Sequence, residues 1–289
     1  MKPLRILSSA LLAFVTLISV ACAEPGLWVA HSASATVYFF GTVHLLKHDT
    51  PWRSAKLDQA LARSQGLWLE LSDAFDTAAA IPFVQRYGMD PQHPLSTRLS
   101  ADKLKRLDAV IRNEGLGNVA AFESFRPWMA ALVISIAHIA RQGYNASSGV
   151  EKILSDEMTA AGKPIHGLET IGQQLRFFTT LPPDTERQML DEAMDDVDTE
   201  PGKTDAIVTA WMAGDVATLA KLIDRDLAAN EPDAYRALVV NRNIAWAKYI
   251  EHLLKGSGVS FIAVGAGHLA GPDSVQAQLA KRGIKVRRE

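Results

Sequence analysis

The sequence predicts an α+β (mixed α/β) protein, with a mixed central sheet built from strands near both chain ends and large helical insertions between them. Three observations carry this prediction. Short runs rich in β-branched and aromatic residues gather before Ser72 and again after Leu254. The stretch between them repeats its apolar residues at helical spacing. No low-complexity linker divides the chain, so residues 24–289 read as one domain with helical elaborations.

Taken in order, Leu27 to Ala30 and Thr36 to Val43 read as strands joined by the small polar turn His31-Ser32-Ala33-Ser34. Ala55 to Ser64 has helical periodicity. Leu67 to Leu71, bounded by Gly66 and Ser72, reads as a buried strand. Leu99 to Asn113 is helical. A further helix begins at Arg126-Pro127-Trp128 and runs to about Ala140; it is apolar nearly all round and is expected to be central and buried. His138 within it reads as a hydrogen-bonded core histidine. Val150 to Ala161 is another helix, on which Glu151 and Asp156 read as a solvated face. Lys163 to Leu168 is a short strand, and Ile171 to about Leu254 is mostly helical. Val259 to Val264, Pro272 to Lys281 and Ile284 to Arg287 complete the order as strand, helix and strand.

Composition excludes several classes. The 289 residues are 48% hydrophobic and 21% charged, which does not suit a disordered chain. Lys and Arg number 30 against 32 Asp and Glu, without a basic tail, so no nucleic-acid partner is expected. The single cysteine, Cys22, excludes a disulfide scaffold and a CxxC site.

Residues 1–23 read as a secretory signal peptide. Lys2 and Arg5 precede an apolar run from Leu7 to Val20, and Ala21-Cys22-Ala23 supplies the small residues of a cleavage site. The run is shorter than the roughly 20 residues a membrane span needs. No span is expected once it is removed, and the periplasm is the expected compartment. Ser19-Val20-Ala21-Cys22 also loosely matches a lipobox, which would make Cys22 a lipid anchor.

The functional signal is positional. His44, Glu70, Glu169 and His268 each stand at or just past the C-terminal end of an expected strand. In parallel sheets those ends are where ligands bind. Gly41-Thr42-Val43-His44-Leu45 and Gly265-Ala266-Gly267-His268-Leu269 share the pattern GxxHL, in which glycine lets the backbone approach a bound group. Two imidazoles and two carboxylates meeting there would suit a divalent transition metal. Turn glycines followed by surface histidines would give the same spacing. On the helix from about Asp233 to Leu254, Arg242 and Asn243 share the stripe of Tyr235, Leu238, Val239, Trp246, Tyr249, Ile250 and Leu253. Buried there, they would need polar partners. An Arg242 snorkelling from the stripe's edge would not.

These segments together resemble the TraB/GumN family, which includes the Tiki metalloproteases that act on Wnt proteins. The carriers are YFFGTVHLL (38–46), LWLEL (67–71), RPW (126–128), PIHGLETIGQQ (164–174), NRN (241–243) and VGAGHLAGPDSVQAQLAKRGIKV (264–286). The resemblance implies a fold akin to erythromycin esterase and the haem-binding ChaN-type proteins. It also implies a hydrolase, peptidase-like, with a divalent ion (Zn, Mn or Co) held by His44 and His268 with Glu70 and Glu169, a glutamate free of the ion being the general base. Gly41, Gly265, Gly267, Arg126, Arg242 and Asn243 fall on recurrent supporting positions. The substrate would be a peptide or small molecule. The alternative is a non-catalytic periplasmic binding protein for a peptide, a signal molecule or haem.

Overall fold

The computed structural model describes residues 24–71, 77–199 and 202–289. The expected signal peptide, with Cys22, lies outside them.

The fold is the mixed α/β arrangement the sequence predicts. β1 (Leu27–His31) and β2 (Ala35–Thr42) form a hairpin. Its turn is closed by Ser32, whose N–H donates to Ala35 O at 2.9 Å and whose hydroxyl accepts from Ala35 N at 3.0 Å. With β3 (Gly66–Leu71), β4 (Ile165–Glu169), β5 (Gly258–Gly265) and β6 (Val286–Arg288), the described residues form one sheet in the order β4-β3-β5-β2-β1-β6. Neighbours from β4 to β2 run parallel, whereas β1 pairs antiparallel with β2 and with β6.

The strand register positions the site. Gly41 pairs with Val264 and Thr42 with Gly265, so the two GxxH motifs leave the sheet side by side. Leu69 pairs with Ala263, and Leu71 with Glu169. Four parallel strands therefore deliver His44, Glu70, Glu169 and His268 to one edge of the sheet.

The helices follow from local signals. α1 (Ala55–Arg63) starts at Ser54, whose hydroxyl accepts from Leu57 N. α2 (Thr77–Tyr87) and α3 (Ala101–Asn113, capped by Ser100) lead to α4 (Pro127–Arg141), which has Pro127 in its first turn. α5 (Val150–Ala160) follows Gly149, and α6 (Ile171–Thr179) opens on a capping box of Thr170 and Gln173. α7 (Pro183–Thr199), α8 (Lys203–Met212) and α9 (Val216–Leu219) come next, followed by a π-helical stretch over Ala220–Arg225. α10 (Asp226–Asn230), α11 (Pro232–Tyr235) and a π-helical turn over Arg236–Val240 lead into α12 (Asn241–Lys255), and α13 (Val275–Ala280) precedes β6.

Both sheet faces are covered. On one, Phe40, Leu67, Leu69 and Phe261 pack with Leu57, Leu154 and Trp211. On the other, Val37, Phe39, Ile262 and Val264 pack against Trp246, Ile250 and Leu254 of α12. Each fully buried side chain of this size contributes about 1.5–3 kcal/mol of transfer free energy. A third cluster joins Leu107 and Ile111 of α3, Ile134 of α4, and Leu190 and Met194 of α7.

One expectation is corrected. α4 is not a central helix buried all round: Leu132 and Ile136 are exposed, at 39% and 45%. Its covered face packs with α3, α6 and α7, through residues such as Trp128, Met129 and Ile134. Apolar content shows that a helix can be buried, not how many neighbours cover it. His138 does take hydrogen-bond partners, Gln142 Nε2 at 2.8 Å and Glu114 at 3.4 Å. Among the described residues no helix is long and apolar enough to cross a membrane.

Candidate functional site

Beyond the C-terminal ends of β2, β3 and β5 lies a pocket of about 380 Å³. His44, Glu70, Arg242 and His268 line its polar side, while Leu45, Ile139, Ile207, Ile223 and Val239 form aliphatic walls. Size and lining suit a small-molecule or side-chain site, with few polar groups converging in an apolar cleft.

His44 is fixed from behind. Its Nδ1 lies 2.7 Å from Glu151 Oε1, and Thr42 Oγ1 donates to the same carboxylate oxygen. Glu151 sits in the first turn of α5, whose start is docked on the end of β2 by Val150 N donating to Val43 O at 3.1 Å. This docking requires Gly149, because a methyl group there would lie 2.0 Å from the His44 carbonyl oxygen. Trp211 steadies the same loop by donating its indole N–H to Gly41 O at 2.8 Å. Glu151 is thus buried against His44, which corrects the expectation of a solvated face. Gly149 and Thr42 are further residues that sequence reasoning missed.

His268 is held differently. Its Nδ1 donates to Asn243 Oδ1 at 2.7 Å, and Asn243 Nδ2 is anchored on Asp273 O at 2.9 Å. This tautomer leaves the Nε2 lone pair to accept from Arg242 Nη1 at 3.0 Å. Trp246 lies against the same ring, centroids 4.4 Å apart.

Arg242 is the hub. Its Nη2 donates to Glu70 Oε2 and Glu169 Oε1, each at 2.5 Å, its Nε reaches Glu169 Oε1 at 3.0 Å, and Nη1 also donates to Leu238 O at 3.1 Å. The sequence's question about Arg242 and Asn243 is thereby answered: both are buried, at 6% and 0% exposure, and both have polar partners. Glu70 also accepts the Gly265 backbone N–H at 2.8 Å and Gln174 Nε2 at 3.4 Å.

The structure brings three of the four strand-end residues to one point. A methyl group on Gly265 would lie 3.1 Å from Glu70 Oε1, 3.6 Å from His44 Nε2 and 3.7 Å from His268 Cδ2. Glu169 does not line this pocket; it lies behind Arg242 and faces a second cavity. Gly267 joins the pocket lining, and Gly41 packs against Ala266 below it. Arg126 stands elsewhere, paired with the buried Glu186 of α7.

Charge follows geometry. Burial alone would raise Glu70, but its neighbours hold it down to about 2. His268 and Arg242 are the strongest of these. His268 is driven toward the neutral form, since burial pushes it down to about 3, which leaves Arg242, with His44 when protonated, as the charges that hold Glu70 down. Glu169 goes the other way, raised by burial against the pull of Arg242. The His44 ring, 61% exposed toward the pocket, is pushed upward by Glu151, with water screening part of the push.

The TraB/PrgY/gumN family pattern matches residues 26–288. A relative from Treponema pallidum (strain Nichols), described as an uncharacterized protein, is 23% identical over 272 residues, covering 88% of this chain and 80% of its own. No solved structure matches. Spanning as it does nearly all of the described residues, the family match shows that the chain belongs to the TraB/PrgY/gumN family.

Proposed function

We propose that the protein is an exported, peptidase-like hydrolase whose reaction takes place in the pocket between His44 and His268, with a divalent ion held there. The observation that carries this reading is the meeting of His44 Nε2, Glu70 Oε1 and the His268 ring over the bare Cα of Gly265. By type, these donors fit Zn, Mn or Co. Charge supports the same reading. Glu151 is paired with the His44 ring, whereas the buried Glu70 and Glu169 share the single guanidinium of Arg242. A buried anionic surplus favours a cation. Binding would require Arg242 Nη1 to leave His268 Nε2, whose lone pair it occupies, and a shift of the side chains, because among the described residues no three or more His, Cys, Asp or Glu stand where together they could hold a metal ion.

A bound ion would supply Lewis acidity. The chain's own residues do the rest. Glu151 fixes the His44 ring through Nδ1 and leaves Nε2 to the pocket. Asn243 fixes His268. Arg242 keeps Glu70 ionised. A second reading, hydrolysis without an ion, is favoured by the His44–Glu151 pair, since a carboxylate on Nδ1 is the arrangement of an imidazole general base.

The test is metal analysis and peptide hydrolysis on purified protein. The expected result is one Zn, Mn or Co per chain, lost with cleavage in His44→Ala and His268→Ala. Ion-free protein that cleaves as fast as loaded protein refutes the ion and leaves the His44–Glu151 reading. Peptide binding without cleavage under any ion refutes the hydrolase and leaves a binding protein. Export belongs to the same proposal, with residues 1–23 as the signal. The mass of the N-terminus from a cell-envelope fraction distinguishes cleavage after Ala23 from lipidation of Cys22.

A further inference from the structure

Behind Arg242 lies a cavity of about 430 Å³ between α6 and the first half of α12. It shares Arg242, and no other lining residue, with the pocket of His44 and His268. Its inner end is the Arg242–Glu169 ion pair, already neutralised. Its walls include Leu168 and the rings of Phe177 and Trp246, the two rings against which the Arg242 guanidinium lies at 6.0 Å and 4.7 Å. At the rim stands Arg176, exposed and with no ion pair among the described residues.

These features select a ligand class. The half-buried Phe177 ring and Leu168 favour a flat apolar body, while Trp246, buried under Arg242 and His268, closes the floor. The unbalanced charge at the rim is positive, and a guanidinium matches a carboxylate in shape as well as sign. A cation would meet only Arg176 at the rim. The volume is within the range of small-molecule sites.

We propose that this cavity is a second binding site, for a small aromatic carboxylate whose anion sits on Arg176 and whose ring lies against Phe177 and Leu168. This goes beyond the hydrolase reading and does not depend on it.

The probe is naphthalene-2-carboxylate, titrated by calorimetry and by NMR, with 2-naphthamide as the uncharged control. Saturable binding of one molecule per chain is expected, with the amide about fivefold weaker and Arg176→Gln weakening the carboxylate about fivefold. Ala245→Phe, at an exposed rim position, should block entry and abolish binding while leaving the circular dichroism spectrum unchanged. Should Ala245→Phe not fold, Thr180→Trp on the opposite side of the rim serves the same purpose. No saturable binding, equal affinity for acid and amide, or wild-type affinity in the blocked variant would each overturn the proposal.

Discussion

Replacing Arg242 with methionine tests the electrostatic centre of the site. The guanidinium is 7% exposed, and the carboxylates it bridges, Glu70 and Glu169, are 10% and 6% exposed. Removing it strands two buried anions. A stranded buried carboxylate does not stay charged; it takes up a proton, and this caps the cost. An ordinary glutamate titrates near 4.5. Holding one protonated in the folded state therefore costs about 1.4 kcal/mol for each unit by which the pH exceeds that value. At pH 7.5 the loss is about 4 kcal/mol for one carboxyl, and at pH 5.5 about 1.4 kcal/mol. The sign follows from linkage: the variant's folded state binds more protons than its unfolded state, so its deficit grows as pH rises. Glu169, already raised by burial, is the first to accept the proton. Urea unfolding of wild type and Arg242→Met at both pH values measures the difference, which should be about 2.7 kcal/mol larger at the higher pH. An equal deficit at both values would mean that the residue acts through packing, and a deficit below about 1 kcal/mol would mean that the pairs contribute little.

Gly149→Ala should drive the α5 start off the His44 carbonyl, costing about 1–3 kcal/mol in denaturant unfolding and most of any hydrolysis; wild-type behaviour in both would refute the docking argument. Glu151→Gln should bring the His44 imidazole back down toward its ordinary 6.5 in an NMR titration, and an unmoved titration would detach Glu151 from that role. Gly265→Ala places a methyl group among Glu70, His44 and His268, so it should abolish ion binding while the melting temperature changes by only a few degrees. Glu231, 1% exposed and raised to about 8 by burial and by Glu192, gives stability at low pH that is lost as pH rises through 8. Glu231→Gln should therefore raise the melting temperature more at pH 8.5 than at pH 5, and a pH-independent change would contradict the burial argument.

How much of this the sequence holds depends on the range of the contacts. β2, β3 and β5 were legible because each is a run of apolar or β-branched residues ending in glycine or a charge, a local signal. Arg242 and Asn243 were legible as polar residues on an apolar stripe, although the π-helical turn over Arg236–Val240 interrupts the regular spacing assumed for that helix. Glu151 was not legible. Its helix shows charges at the spacing of an ordinary solvated face, and its burial comes from a contact with the end of β2, 109 residues away in sequence. Gly149 is silent for the same reason, because the need for a missing side chain is visible only once the His44 carbonyl is in place. Glu169 was correctly placed at a strand end, but strand position does not say on which side of Arg242 its carboxylate falls.

The two GxxH motifs are alike as backbone and unlike as chemistry. Both leave neighbouring parallel strands at the same level, which explains the shared glycines. Their histidines then meet opposite surroundings. His44 opens to the pocket with a carboxylate on Nδ1, which draws it toward the protonated form. His268 is buried with an amide on Nδ1 and a guanidinium on Nε2, which keeps it neutral. Environments that push two titratable groups apart assign their roles. In the proposed reaction, His44 would be the imidazole that exchanges a proton or takes a ligand at its exposed nitrogen, and His268 the fixed neutral partner. The repeat in the sequence therefore marks a sheet edge, and the division of labour comes from Glu151, Asn243 and Arg242, none of which belongs to either motif.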